Sequence, residues 1–303
     1  MASMTTKIKP WRYSAGQDPF GGLGRLSGAS LRTQTAREIE IKAKEIVDAC
    51  QSNFGVNVKF TYEDAPILDE TRAHKCPNFS VLIIKVINKD TLDAAIALES
   101  ASDLLDIQKE SRVLVLNFAN AETPGGAWRS GVSAQEEHIM FRTTLSYHGL
   151  DPSLYPWQDN EGIYTSNVLV LRENETRGFS WLWIDRPECL PLISVISVAA
   201  EQRPQLDSTG TRYATEEQRT RTQARMRCVL RMAADHGHSR LVLGALGCGV
   251  FGHPPADVAD CWANVLKETE FKGWFEFIVF AVLDPKCGPN LKAFHAALHD
   301  IEI

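Results

Sequence analysis

Six short runs of the chain are apolar almost without interruption, and helical segments separate most of them. They are Ser80–Val86 (SVLIIKV), Arg112–Phe118 (RVLVLNF), Val168–Leu171, Leu192–Val198, Arg240–Leu246 (RLVLGAL) and Phe275–Leu283 (FEFIVFAVL). A strand with one face in water alternates apolar and polar residues, and these runs do not. They demand a sheet covered on both faces. The covering layers are read from helical periodicity over Thr35–Phe54, Thr91–Leu105, Ser133–Ser146, Thr215–His236, Pro255–Thr269 and Asn290–His299. Asp90 is a plausible cap for the second of these. The expectation is a three-layer α/β domain with its sheet between helices. A length of 303 residues with 44% hydrophobic content suits one large core.

Residues 1–33 are rich in Gly, Ser and Arg, and Asp18 to Gly24 fits no regular element. They read as a loose arm, and residues 57–79 are mixed. The chain is divided into an N-terminal arm and helical extension, 1–75, packing on a core, 76–303. The net charge of −6 disfavours a protein that tracks nucleic-acid phosphates with a basic surface. No run of eighteen apolar residues suggests a membrane span, and Met1 to Pro10 shows no secretory pattern. The seven cysteines are irregularly spaced, without a C-x-x-C pair. Reduced thiols and an intracellular setting, cytoplasmic or nuclear, are expected. His236 and His238 lack a Cys or carboxylate cluster and read as two exposed imidazoles at a helix end, not a metal site.

In folds of this class ligands sit beyond the carboxyl ends of the strands. Two of those ends are glycine-rich. The first carries Asn117 and Asn120, then the turn Pro124-Gly125-Gly126, then Gln135-Glu136-Glu137 at a helix start. Side-chain amides can meet ligand hydroxyls, and paired glycines let backbone approach a bound group. A purely structural account competes: Ser133-x-x-Glu136 matches a capping box, with acidic residues favouring the helix dipole. The second loop is Gly247-Cys248-Gly249-Val250-Phe251-Gly252. Its amides suit an anion nest for a diphosphate. It formally matches the dinucleotide fingerprint, but Pro254 and Pro255 part the last glycine from the helix, against a Rossmann dehydrogenase. A plain strand-to-helix turn is the competing account.

Gly125-Gly126-Ala127, seven residues, then Gln135-Glu136-Glu137 resembles the signature of poly(ADP-ribose) glycohydrolases. That signature is a Gly-Gly-Gly stretch followed after six to eight residues by Gln-Glu-Glu. The Gly247–Gly252 loop resembles the family's diphosphate loop, and the chain over roughly 30–295 is similar to the microbial-type branch. The resemblance implies a macrodomain-like mixed sheet and an ADP-ribose cleft between the loops. It implies Glu137 as acid/base and Glu136 as holder of the leaving ribose or its hydroxyl. Asn120 would bind the distal ribose, with Asn117 beside it among the substrate-binding residues, and Gln135 would support the glutamates. The second loop would wrap the diphosphate, with Phe251 pressing on the distal ribose. One departure is Ala127, whose methyl replaces the family's third glycine.

The resemblance further implies hydrolysis of ribose–ribose bonds of poly(ADP-ribose) to ADP-ribose, and reversal of ADP-ribosylation in the DNA damage response. It implies no cofactor, no metal, no sequence-specific nucleic acid, no membrane and a monomer. Two other readings stay open: an ADP-ribose reader without turnover, which Ala127 favours and Glu137 opposes, and a hydrolase of mono-ADP-ribose on protein or nucleic acid. Neighbouring glutamates on one helix diverge by about 100° and cannot flank a bond as ordinary glycosidase pairs do. Arg219, Arg221, Arg225, Arg227 and Arg231 read as one solvated helix interleaved with Glu216 and Glu217.

Overall fold

The structure is a computed structural model that describes residues 28–50, 56–105, 112–301 and 303. The proposed arm up to residue 27, including Asp18 to Gly24, and Phe54 at the foreseen end of the first helix lie outside the described residues.

A seven-stranded mixed sheet is the frame. Its strands are β1 (Val56–Thr61), β2 (Ile83–Ile87), β3 (Leu114–Phe118), β4 (Glu161–Leu169), β5 (Leu192–Val198), β6 (Arg240–Leu243) and β7 (Phe277–Ala281). The order is β1-β4-β5-β3-β6-β7-β2. β5, β3, β6, β7 and β2 run parallel, while β4 and β1 continue the sheet antiparallel.

The helices are α1 (Gly28–Cys50), α2 (Thr91–Leu105), α3 (Gln135–Arg142), α4 (Glu216–Asp235), α5 (Pro255–Leu266) and α6 (Pro289–Leu298). The apolar runs are continuous because successive side chains feed two separate cores. Leu114 and Leu116 of β3 pack with Met226, Trp262 and Phe294 from α4, α5 and α6. Val113 and Val115 pack with Ile39, Ala95 and Ile139 from α1, α2 and α3. The three layers foreseen are therefore present.

Several elements differ from expectation for local reasons. α1 begins at Gly28, so residues 28–33 belong to a helix and not to the arm. β1 was hidden in the mixed stretch: it is an edge strand whose Val56 and Val58 stay exposed, with polar residues between. It makes part of the N-terminal 75 residues an integral strand of the sheet. α3 stops at Arg142 because Thr143 turns extended and bridges Val170. β4 starts earlier, at Glu161, since its polar residues and the irregularity between Thr165 and Val168 mask a strand pattern. α2 has the foreseen bounds, and Asp90 Oδ1 accepts from the amides of Leu92 and Asp93.

Of the α4 arginines, Arg221 is exposed and pairs with Glu217 as expected, but the others are not a solvated row. Arg219, Arg227 and Arg231 pair with Asp257, Glu268 and Glu270 at 2.6–3.1 Å, and Arg225 is buried with its Nε donating to the Ala199 carbonyl. They tie α4 to its neighbours. His236 is exposed, but His238 is buried, with Nδ1 at 2.8 Å from the Arg112 carbonyl and Nε2 at 2.8 Å from the Tyr164 hydroxyl. Burial holds its imidazole down at about 4.

Candidate active site

Both glycine-rich loops lie at the carboxyl end of the parallel strands, one after β3 and one after β6. A cleft of about 400 Å³ runs between them, walled by Phe118, Gln135, Gly247, Gly249, Val250 and Phe251.

The first loop and α3 interlock through side chains. β6 pairs with only Leu114 and Val115 of β3, so the end of β3 lacks a neighbour on that side. Gln135 fills the place of one: its Nε2 donates to the Leu116 carbonyl at 2.7 Å, and its Oε1 accepts from the Phe118 amide at 2.9 Å. A side-chain amide offers the same donor and acceptor as a strand residue. Gln135 thus fixes the first turn of α3 against the sheet.

The next two residues are the buried glutamates, 4% and 6% exposed. The capping-box account fails here. The cap of α3 is Ala134 with no side-chain bond, and Ser133 Oγ meets His138 Nε2 instead. Glu136 turns toward the first loop. Its Oε2 accepts from the Asn120 amide at 2.9 Å and its Oε1 from Asn117 Nδ2 at 3.3 Å. Glu137 Oε1 accepts from the Ala127 amide at 3.1 Å.

Both carboxyls converge on Gly126. A Cβ there would stand 2.6 Å from Glu137 Oε1 and 3.1 Å from Glu136 Oε2, and φ is +62°. Only glycine fits. Ala127 has φ −102° and is exposed, so its methyl meets no conformational barrier. The departure from three glycines falls where the backbone does not require one.

Burial, the largest effect, and the charge of Glu137 push the Glu136 carboxyl up to about 8, against the pull of the Asn120 amide and Asn117. Desolvation outweighs the helix N-terminus, which favours the anion. Asn117 itself is fully buried, bridging Glu136 and Ser197 Oγ. It faces the glutamate, not the cleft. The Asn120 side-chain Oδ1 closes its own turn by accepting from the amides of Glu122 and Thr123, which leaves its Nδ2 as what it can offer a ligand.

The second loop is built differently. Gly247 has φ +78°, and a Cβ there would lie 2.4 Å from the His253 ring. His253 is a strut that sequence reasoning passed over. It is buried, meeting the Tyr213 hydroxyl at 2.6 Å and the Glu201 carbonyl at 2.7 Å. Its position just after the last glycine was the only signal. At Gly249 and Gly252 a Cβ would meet nothing within 4 Å, so packing gives no reason for glycine there. Gly252 has φ +76°, which favours glycine, whereas Gly249 lines the cleft as bare backbone and suits a bound diphosphate. Cys248 turns its thiol toward the Leu246 carbonyl, and burial pushes that thiol up, out of reactive range. Val250 is 83% exposed at the rim, and the Phe251 carbonyl is held by the Arg203 amide at 2.9 Å. Tyr155 and Trp157, beside the first loop, were also missed because they lie outside both motifs.

The structure thus brings Gln135, Gly247, Gly249, Val250 and Phe251 to the cleft wall. Asn117, Asn120, Gly125, Gly126, Ala127, Glu136 and Glu137 form the adjoining cluster. A mixed sheet between two helical layers, with paired carboxyls beside a nucleotide-sized cleft at the strand ends, defines a macrodomain-like hydrolase fold. Residues 29–173 match the family model described as microbial-type PARG, catalytic domain. The Thermomonospora curvata poly(ADP-ribose) glycohydrolase is 29% identical, with a TM-score of 0.70 over 88% of this chain and 99% of that one. Its complex with the inhibitor ADP-HPD superposes with a TM-score of 0.66 at 28% identity, covering 88% and 98%. The Deinococcus radiodurans enzyme in complex with ADP-ribose gives 0.63 at 26% identity, covering 90% and 98%. No curated relative matches the chain. Over these matches the chain is similar to microbial-type poly(ADP-ribose) glycohydrolases.

Proposed function

We propose that the protein hydrolyses ribose–ribose O-glycosidic bonds of poly(ADP-ribose) and releases ADP-ribose. The observation that carries this reading is the convergence of two buried carboxyls on Gly126, beside a cleft whose far wall is bare glycine backbone. Glu137 is the acid/base. Its proton goes to the leaving ribose oxygen as the bond to the anomeric carbon breaks. Water then attacks that carbon through an oxocarbenium-like transition state and returns a proton to Glu137. Glu136, held by the Asn120 amide and Asn117, accepts from a ribose hydroxyl and fixes the sugar. Both carboxyls approach from one side, so the pair does not flank the bond. One group works as acid and base while the other positions. The raised Glu136 carboxyl keeps a negative charge away from the substrate diphosphate at neutral pH.

The amides of Gly247, Gly249, Val250 and Phe251 receive the diphosphate, those of Cys248 and Gly252 already donating to the Ala245 and Gly249 carbonyls, and Phe251 abuts the distal ribose. The protein works as a monomer on poly(ADP-ribose) or on ADP-ribosylated protein, inside the cell, in the cytoplasm or nucleus, reversing ADP-ribosylation after DNA damage. The six described cysteines are free thiols, in keeping with that compartment. The test is to offer purified poly(ADP-ribose) and mono-ADP-ribosylated protein side by side. Release of ADP-ribose from the polymer supports the reading. Release only from the mono-modified protein, or binding without turnover on either, overturns it.

A further inference from the structure

No Lys or Arg stands among the described residues that wall the cleft, but a cation stands just outside it. Arg203 lies three residues after Ala200, which walls the cleft, and its amide donates to the Phe251 carbonyl at 2.9 Å. Its side chain is exposed and has no ion pair or hydrogen bond among the described residues. The nearby acids are engaged elsewhere. Glu201 pairs with Arg221 at 3.1 Å, and Asp207 accepts from the Thr209 hydroxyl and the Thr211 amide. The backbone leading to Arg203 is pinned. The Val198 carbonyl accepts from the Ala119 amide, the Ala199 carbonyl from Arg225 Nε, and the Glu201 carbonyl meets His253 Nε2 at 2.7 Å. Arg203 itself has φ +51°, a left-handed conformation that glycine or asparagine takes with less strain. The turn does not need an arginine, so what the position adds is a free guanidinium beside Phe251.

We infer that the Arg203 guanidinium grips the diphosphate of the ADP-ribose unit on the leaving side of the scissile bond, and so selects polymer. The role rests on the glycohydrolase reading, which puts the distal ribose of the bound unit against Phe251. The adenosine to be released then begins just past Phe251, and its own diphosphate is the next strong charge along the chain. A planar guanidinium offers paired N–H donors that match phosphate oxygens. The bound unit is served by backbone amides in the second loop and needs no cation. With a net charge of −6 the protein gives a polyanion no general attraction, so a cation placed at the exit decides how the leaving chain is held.

Two substrates separate this contact from the chemistry. Both carry ADP-ribose joined through its distal ribose to an adenosine. In the first the adenosine ends at its free primary hydroxyl; in the second it continues into another diphosphate and ribose. The wild type prefers the second by about tenfold in kcat/KM, mostly through KM, and the preference shrinks as salt rises. Arg203→Asn, which suits the left-handed backbone, loses the preference and stays within about twofold of the wild type on the first substrate. If that variant fails to fold, Arg203→Gly is read in the same way. A wild type without the preference, or a folded variant that keeps it, overturns the proposal. An equal fall on both substrates marks a residue that only supports the Phe251 turn, and also overturns it. If the wild type cuts neither substrate, the glycohydrolase reading fails. Calorimetric affinities of the two compounds for the wild type and Arg203→Asn then decide this role by the same comparison.

Discussion

Gly126 and Ala127 separate what the glycine signature requires from what it tolerates. The Gly126 Cα faces both carboxyls at positive φ, whereas Ala127 is exposed at ordinary φ. Gly126→Ala drives a methyl into Glu137, and a displacement near an ångström costs about a hundredfold in kcat. Ala127→Gly leaves kcat within about threefold. Steady-state kinetics on poly(ADP-ribose) checks both. Glu136 makes a second prediction. Its folded titration near 8 lies above its unfolded value, so its contribution to stability is complete below about 4.3 and is lost as pH rises through 8. Glu136→Gln, which mimics the protonated form, therefore gains in Tm over the wild type as pH goes from 5 to 9. A constant difference in melting scans would contradict this. The glutamates and the glycine turn were legible from their spacing. That Ser133 and Glu136 do not form a capping box was not, because the alternative partner of Glu136 lies on a loop whose path is set by tertiary packing.

The elements that position the site include one that motif reasoning treated as an accessory. The start of α1 lies against the first loop: Arg32 Nε donates to the Gly131 carbonyl at 2.7 Å, and its Nη1 meets Glu175 at 2.7 Å. A Cβ at Gly131 would stand 2.7 Å from the Ala29 carbonyl. Residues 28–33 therefore brace the loop that carries the catalytic turn. Arg32→Ala destabilises by about 1 kcal/mol, since the pair is part-exposed, and lowers kcat several-fold while ADP-ribose affinity changes little. Denaturant melts and kinetics check these together. Periodicity located α2 and β5 to the residue, because Leu92, Ala94 and Ala95 and the run Ile193–Val198 are buried. It overran α3 and missed β1, where extended Thr143 and exposed edge valines obey local chemistry and not burial. His253 was invisible for a similar reason: it acts through contacts distant in sequence.

Across the whole molecule, two buried groups bound stability in pH from opposite sides. His238 titrates near 4 when folded, below its unfolded value near 6.5. Its contribution is present above 6.5 and is lost as pH falls through 4. Glu136 erodes stability on the alkaline side, so urea midpoints peak between these limits and His238→Gln flattens the acid limb. The layered fold serves the site directly. Helices on both faces leave the carboxyl ends of the strands open, and the two glycine loops that follow β3 and β6 occupy them. The central claim is that this cleft binds ADP-ribose units and that Glu137 turns them over. It is tested by measuring ADP-ribose released from poly(ADP-ribose) by the wild type and by Glu137→Gln, alongside calorimetric affinity of both for ADP-ribose. The account predicts release by the wild type, a fall of about 10²–10⁴ in the variant, and affinities within about threefold. Equal release by both proteins, or none by a wild type that binds ADP-ribose tightly, would contradict it.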